Sequence, residues 1–234
     1  MPLLALLIGC RLFAEYSFER DDTGHHTCLP TDIMVHRGIN QDVGVPDIDI
    51  CLLDPTTFEE LECLISDEGG WVQFCVLPNT RWAARAESHG ETNGISLFEV
   101  GDVPLGELHT LMLIPPEDML GLSLFTGITI DLANGIVGVS APAGLQFEID
   151  EVPADWAYLI EEGEIPIFGG DVTTEEGQFG GAFNVEPGIR TLRVTGAECF
   201  TTAAWSSVID NAFPVWVEPD SFTLIGLECH LLDP

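Results

Sequence analysis

The 234-residue chain contains no lysine, and its seven basic residues are all arginines. Without a lysine side chain it cannot form a Schiff base, a Walker-type phosphate loop or a lysine-based isopeptide crosslink. The arginines stand against 39 aspartates and glutamates, which gives a formal net charge of −32 at pH 7. Because nucleic-acid binding requires basic patches that neutralise phosphates, we expect no nucleic-acid partner.

The sequence also lacks the local signatures of common catalytic and metal sites. It has no Gly-x-Ser-x-Gly elbow, no His-Glu-x-x-His pair, no Cys-x-x-Cys motif and no EF-hand calcium loop. Carboxylates are abundant enough for a glycosidase-type pair, but two modules of about 100 residues leave little room for a deep substrate cleft. These observations predict a protein that is not an enzyme and that uses no cofactor.

The first ten residues form an apolar run that ends in Leu-Ile-Gly-Cys. This ending resembles the bacterial lipobox, in which a signal segment is cleaved before a cysteine that then receives a lipid. The usual positively charged start is missing, and a buried first strand ending in a core cysteine is the alternative. Polar, irregular residues follow at once, so we interpret 1–10 as the signal segment, Cys10 as the lipidated residue and 11–30 as a tether. The expected location is the cell envelope, on the outer membrane or the cell surface, with membrane contact through the lipid.

The cysteines other than Cys10 are even in number, which in an exported protein predicts disulfides. They are Cys28, Cys51, Cys63, Cys75, Cys199 and Cys229. Cys51 ends one apolar strand and Cys63 begins the next, so a bridge between them would close the intervening loop. The C-terminal half contains only Cys199 and Cys229, which suggests a second pair and leaves Cys28 with Cys75. Six thiols allow 15 connectivities, so the sequence leaves the full pairing open.

Short runs of alternating apolar residues, bounded by Gly, Pro, Asn and Asp, recur along the chain. Such period-two patterns are typical of antiparallel strands with one buried face. Clear examples are Ile48/Ile50/Leu52, Val72/Phe74/Val76, Trp82/Ala84/Ala86 and Phe222/Leu224. One segment differs, because Pro115-Pro116-Glu117-Asp118 before an apolar run, with Gly127 after it, predicts a short helix.

Two segments about 108 residues apart resemble each other, Ser66–Trp71 and Thr174–Phe179. Each has acidic residues and a glycine before an aromatic residue, then an apolar strand and a proline turn, and we interpret each as a hairpin. We expect the ring after the turn to anchor the returning strand, so that Trp71 fills the first core together with Trp82. A repeat at this distance predicts two modules of one type. The predicted modules are 31–104 and 133–234, with 105–132 as a connector that contains the helix.

The repeated pattern resembles the carboxypeptidase regulatory-like (transthyretin-like) β-sandwich family, most clearly over residues 48–90. The resemblance implies an all-β chain of two tandem antiparallel sandwiches in a Gram-negative surface lipoprotein. Modules of this family accompany many activities as accessory, adhesive or spacing units, so the resemblance identifies a fold better than a function.

Several side chains are candidate ligands, each with a structural alternative. His25, His26 and His36 provide imidazoles near Cys28, although a solvated tether explains the first two equally well. Asp42, Asp47, Asp49 and Asp54 are candidate calcium ligands, but Ile and Pro interrupt them. Trp156 and Trp205 are candidate ligand-stacking residues for a glycan; the alternative is that both cap the ends of the sandwiches.

The sequence therefore predicts a non-catalytic exported surface lipoprotein that binds or spaces a protein or glycan partner. Two alternatives remain open at this stage. One is an exported metal- or calcium-binding protein, and the other is an accessory subunit of an envelope enzyme complex.

Overall fold

The computed structural model describes residues 28–38, 43–88, 90–100, 109–140, 145–150, 152–153, 157–160, 167–168 and 179–231. Within these ranges the chain forms seventeen strands and one helix. The strands before the helix are β1 (Leu29–Arg37), β2 (Asp49–Leu53), β3 (Glu60–Ile65), β4 (Trp71–Val76), β5 (Thr80–Glu87), β6 (Asn93–Val100) and β7 (His109–Leu113). After helix α1 (Pro116–Thr126) come β8 (Gly135–Ser140), β9 (Gln146–Ile149), β10 (Val152–Pro153), β11 (Ala157–Ile160), β12 (Ile167–Phe168), β13 (Phe179–Val185), β14 (Gly188–Thr195), β15 (Ala197–Ala203), β16 (Ala212–Val217) and β17 (Ser221–Leu231). The all-β prediction with one short helix is confirmed.

The strands form three sheets. A ten-stranded sheet has the order β12-β11-β13-β8-β17-β6-β5-β2-β3, and β15 pairs with β17 beside this path. A three-stranded sheet has the order β4-β1-β7, and a four-stranded sheet has the order β10-β9-β14-β16. The ten-stranded sheet therefore contains strands from both halves of the chain.

The register shows which residues share a face of the large sheet, because residues directly opposite in neighbouring strands point to the same side. Leu52 lies opposite Ala84, and Trp82 lies opposite Phe98. All four belong to the first hydrophobic core, which also contains Val35 and other residues of the three-stranded sheet. We call this side of the large sheet face A.

The intervening residues point to the opposite side, face B. One row across face B contains Cys51, Arg85, Ile95, Thr223 and Val137, on β2, β5, β6, β17 and β8. Val137 belongs to the second hydrophobic core, which the four-stranded sheet covers with residues of β9, β14 and β16. The two small sheets therefore pack on opposite faces of one large sheet.

Strand β17 joins the two halves through its backbone. Its residues Phe222–Leu224 pair in parallel with Gly94–Ser96 of β6 and with Ile136–Gly138 of β8. A ladder of hydrogen bonds thus runs from one core to the other without an intervening linker. The predicted boundaries 31–104, 105–132 and 133–234 stay a prediction, but the described strands on either side of 105–132 share a sheet.

The turn at Asp67–Gly70 differs from the predicted hairpin. It carries the chain from β3, in the large sheet, to β4, which pairs with β1 in the three-stranded sheet. Oδ1 of Asp67 accepts hydrogen bonds from the backbone N–H groups of Gly69 and Trp71 at 2.8 and 2.9 Å. Gly70 has φ +81°, and a Cβ there would lie 2.7 Å from the Val35 carbonyl oxygen, so only glycine fits. The hairpin interpretation is wrong because the local turn signal does not say which strand β4 will pair with. The second copy of the motif, 174–178, lies outside the described residues.

Helix α1 confirms the predicted segment and its ends. Pro116 occupies the first turn, Glu117 and Asp118 follow it, and Gly127 closes the helix in the left-handed region with φ +68°. Met119 packs with Met112, Ile136 and Phe222 in a third cluster on face A. Among the described residues, no helix has the length and apolar character needed to span a membrane.

Candidate functional site

The structure confirms the three expected disulfides. They join Cys28 to Cys75, Cys51 to Cys63 and Cys199 to Cys229, with Cα–Cα distances of 5.3, 4.0 and 4.1 Å. The last two link residues that lie directly opposite in antiparallel strands, β2 with β3 and β15 with β17. Each of these two bridges therefore closes a strand pair that backbone hydrogen bonds already align.

Several predicted site residues lie outside the described residues. They are Cys10, His25, His26, Asp42 and Trp156. The lipidation of Cys10 and the proposed glycan stacking on Trp156 therefore stay predictions.

Trp205 is not an exposed stacking residue, and that part of the prediction is wrong. Only 4% of the residue is accessible, and its Nε1–H donates a hydrogen bond of 2.8 Å to the Trp82 carbonyl oxygen. The ring packs on face B against Leu53, Ala83 and Leu97. It is buried because the β15–β16 connection folds back over the first half of the large sheet, a contact that no local pattern encodes.

Of the two tryptophans expected in the first core, one lies there and the other does not. Trp82 is 6% exposed and fills the core as predicted. Trp71, expected in the same core, is 38% exposed. The alternation of β4 accounts for this, since Val72 and Phe74 point inward and Trp71 must then point outward.

The predicted metal ligands that the structure describes do not form a cluster. His36 is fully buried, with Nδ1 3.0 Å from the Gly38 carbonyl oxygen, whereas Asp47 and Asp49 are exposed. Burial lowers the pKa of His36, because the charged imidazolium loses its hydration. In the part of the chain that the structure describes, one group of three potential metal-ligating side chains lies within 4.8 Å, Cys51, Glu60 and Cys63.

That group belongs to an uncovered part of face B. Part of face B on the first half of the chain is covered by aromatic rings. These rings are Trp205 and Trp216 from the second half and Phe58 from the first half, and they pack over Leu53, Ala83 and Leu97. Beyond them an open surface remains, which we call the Arg85 shelf. It consists of Asp49, Glu60, Cys63, Ile65, Arg85 and Glu87. Ile65 is 66% exposed, and β3 at this position is the last strand of the sheet.

Arg85 is the centre of charge in the shelf. Its Nη2 lies 2.5 Å from Glu60 and 2.6 Å from Glu87, and its Nη1 donates to both carboxylate oxygens of Glu218 at 3.2 Å. The side chains of Arg85 and Glu218 are 14% and 18% exposed, so their ion pair is less screened than an ordinary surface pair. Glu60 and Glu87 are 51% and 48% exposed, so their pairs with Arg85 are screened by solvent. One guanidinium therefore joins three carboxylates, and Glu218 comes from the end of β16 in the second half of the chain.

The remainder of the junction is aromatic and hydrogen bonded. Phe58 stacks on Trp216 with a centroid distance of 3.7 Å and an interplanar angle of 7°. Nε1–H of Trp216 donates to Glu218 at 3.0 Å, which holds that carboxylate beside Arg85. Ser206 donates through its backbone N–H and its hydroxyl to Glu99, both at 2.7 Å. These contacts fix the second half of the chain against face B.

Two further groups have environments that shift their pKa. His109 is 6% exposed and stacks on Phe98 with a centroid distance of 4.5 Å, and burial lowers its pKa to about 4. Burial also raises the pKa of Glu62 on β3. Both shifts follow from desolvation and not from a catalytic partner.

No sequence pattern singled out Arg85 or Glu218. The available signal was that Arg85 interrupts the apolar stretch Ala83, Ala84 and Ala86, so a charged group had to lie on one face of β5. Its partner Glu218 is 133 residues away. Only the packing of β16 on face B brings the two together.

No family model matches the chain, and no curated protein matches it. Among solved structures, the chain is similar to the TIE protein of Bacillus anthracis at 12% identity and a TM-score of 0.30, over 86% of this chain and 34% of that one. It is also similar to the major pilin subunit BcpA of Bacillus cereus (9% identity, TM-score 0.30, 88% and 100% covered) and to a minor pilin of Streptococcus agalactiae (11%, 0.26, 87% and 97%). The chain spans about a third of the Bacillus anthracis protein. Because identity and TM-score are low throughout, the proposals below depend on the residues of this chain.

Proposed function

We propose that the chain is a non-catalytic, exported β-sandwich protein that acts as a rigid spacer and holds a partner at a fixed distance from the cell envelope. The observation that carries this proposal is the position of β17 between β6 and β8 in one sheet. A hinge between the halves would have to break this hydrogen-bonded ladder and also separate the small sheets from faces A and B.

The chemistry of the chain supports the same proposal. Three disulfides suit an oxidising compartment outside the cytoplasm, and the excess of carboxylates favours solubility there. The lipobox-like ending at Cys10 supports anchoring through a lipid. The resemblance of residues 48–90 to carboxypeptidase regulatory-like modules supports an accessory or spacing role, with a protein or glycan as partner.

Scanning calorimetry of two matched core variants tests the rigid-spacer proposal. Phe74→Ala removes a ring from the first core and Phe213→Ala removes one from the second, and both residues are at most 1% exposed. Each substitution should cost about 3–5 kcal/mol. If the chain is one rigid unit, the wild type melts in a single transition, and both variants lower the temperature of that same transition.

Two transitions in the wild type, with each variant moving a different one, would contradict the proposal. That result would describe two independently folding modules joined flexibly.

A further inference from the structure

Among the residues that the structure describes, the Cys51–Cys63 disulfide is the bridge that groups with a carboxylate. Atoms of Cys51, Cys63 and Glu60 all lie within 4.8 Å of one another. Sγ of Cys63 lies 3.9 Å from Oε2 of Glu60. Each inter-strand bridge has one buried cysteine, Cys51 at 4% and Cys199 at 5% exposure. The other cysteine is exposed in the first bridge, Cys63 on the edge strand β3, and only partly exposed in the second, Cys229.

We propose that reduction of the Cys51–Cys63 disulfide opens a binding site for a thiophilic divalent cation such as Zn²⁺ or Cd²⁺. A dithiol reductant supplies two electrons and two protons, becomes a cyclic disulfide and leaves two protein thiols. The cation then displaces the two thiol protons and binds both thiolates, with Glu60 as third ligand and a water in the fourth position.

The backbone geometry suits this site without rearrangement of the strands. Zinc–thiolate bonds of about 2.3 Å in a tetrahedral arrangement place two sulfurs about 3.8 Å apart. Side chains directly opposite in antiparallel strands have Cβ atoms about 4.5–5.5 Å apart, so two free thiols can reach that separation by rotation about χ1. The Cα–Cα distance of 4.0 Å between Cys51 and Cys63 places them in this directly opposed arrangement.

Arg85 keeps carboxylate partners when Glu60 becomes a ligand. In the closed form its guanidinium contacts Glu60, Glu87 and Glu218, and it retains Glu87 and Glu218 when Glu60 turns towards the cation. The two thiolates carry two negative charges against two on the cation, so binding leaves the local net charge unchanged. The carboxylates outnumber the guanidinium, and this excess of negative charge favours a cation there.

Exchange with a dithiol requires access of the attacking thiolate to a sulfur. Cys63 provides that access because no described strand lies beyond β3. The cation site is therefore gated by reduction, and it is absent while the disulfide is closed.

The test is a titration of the full chain with Cd²⁺, and binding is measured from the ultraviolet thiolate-to-cadmium charge-transfer band. The titration is done before and after reduction with an immobilised dithiol, which is removed before Cd²⁺ is added. Two double variants are matched, Cys51→Ser/Cys63→Ser and Cys199→Ser/Cys229→Ser. Two carboxylate variants are matched as well, Glu60→Gln and Glu87→Gln, since both glutamates contact Arg85 but only Glu60 lies in the cluster.

We expect a tight 1:1 phase only after reduction, lost in Cys51→Ser/Cys63→Ser and retained in Cys199→Ser/Cys229→Ser. Glu60→Gln should weaken this phase roughly tenfold or more, and Glu87→Gln should leave it within about twofold, by analogy with the loss of groups that support a metal site. Circular dichroism of each reduced sample, recorded before Cd²⁺ is added, shows whether the strands persist. The proposal is overturned if the reduced wild type binds Cd²⁺ no tighter than Cys51→Ser/Cys63→Ser, if it has lost its strands, or if Glu60→Gln and Glu87→Gln behave alike.

Discussion

Trp205 provides the sharpest test of how the two halves are joined. The residue is 4% exposed, packs on face B and donates a hydrogen bond to the Trp82 carbonyl oxygen. The Arg81 guanidinium also lies 5.9 Å from the centroid of its ring. Trp205→Ala should therefore lower the free energy of unfolding by about 3–5 kcal/mol, the usual cost of emptying the site of a buried aromatic ring.

Trp205→Phe separates the two contributions. It keeps most of the ring but removes the indole N–H, so it should cost about 0.5–1.5 kcal/mol for the lost hydrogen bond plus part of the ring volume. Trp71→Ala is the matched control, because Trp71 is a tryptophan on the first half that is 38% exposed. The control should cost about 1 kcal/mol or less.

The measurement is urea denaturation followed by far-ultraviolet circular dichroism, so that the signal does not depend on the tryptophans that are changed. In a separate thermal denaturation, the same loss of 3–5 kcal/mol corresponds, for a chain of this size, to a fall in melting temperature of roughly 6–20 °C. Equal losses for Trp205→Ala and Trp71→Ala would refute the reasoning, since the ring would then make no buried contact at the junction.

Four further predictions concern other parts of the molecule. Because burial lowers the pKa of His109 to about 4, the unfolded chain binds its proton more readily, and stability should fall by up to about 3 kcal/mol as pH decreases from 6.5 to 4. His109→Phe should remove that part of the pH dependence, and an unchanged difference between the proteins over this range would contradict it. Serine at both Cys199 and Cys229 should cost about 3–4 kcal/mol in chemical denaturation, because it opens a loop of 30 residues; a stability equal to that of the wild type would argue against the bridge. Metabolic labelling with a palmitate analogue should mark the wild type and not Cys10→Ala, and equal label in both would disprove lipidation there. Monovalent salt should raise the melting temperature smoothly, whereas a saturable rise with millimolar calcium, abolished by Asp47→Asn/Asp49→Asn, would reveal a specific cation site that we do not expect.

Features that depend on near neighbours in the chain could be predicted from the amino-acid sequence. Alternation at Val72, Phe74 and Val76 predicted a strand with one buried face, since the side-chain period of a strand is a local property. Proline and glycine at the two ends of α1 predicted the helix because each restricts or permits one particular backbone conformation. The Cys51–Cys63 pair was suggested by two predicted strands that flank one loop, and the structure contains that bridge.

The pairing of the strands and the surface that each face packs against depend on long-range packing. The alternation along β4 predicts that Trp71 points to the side opposite Val72 and Phe74. It does not predict that this side of the strand is open to solvent. Trp205 lies 123 residues from Trp82, and its burial depends on the four-stranded sheet packing on face B. The parallel pairing of β17 with both β6 and β8 is likewise a long-range choice. Period-two patterning is the same for a strand in any sheet, so the physical information that joins the two halves lies in the fit of their surfaces and not in any local run of residues.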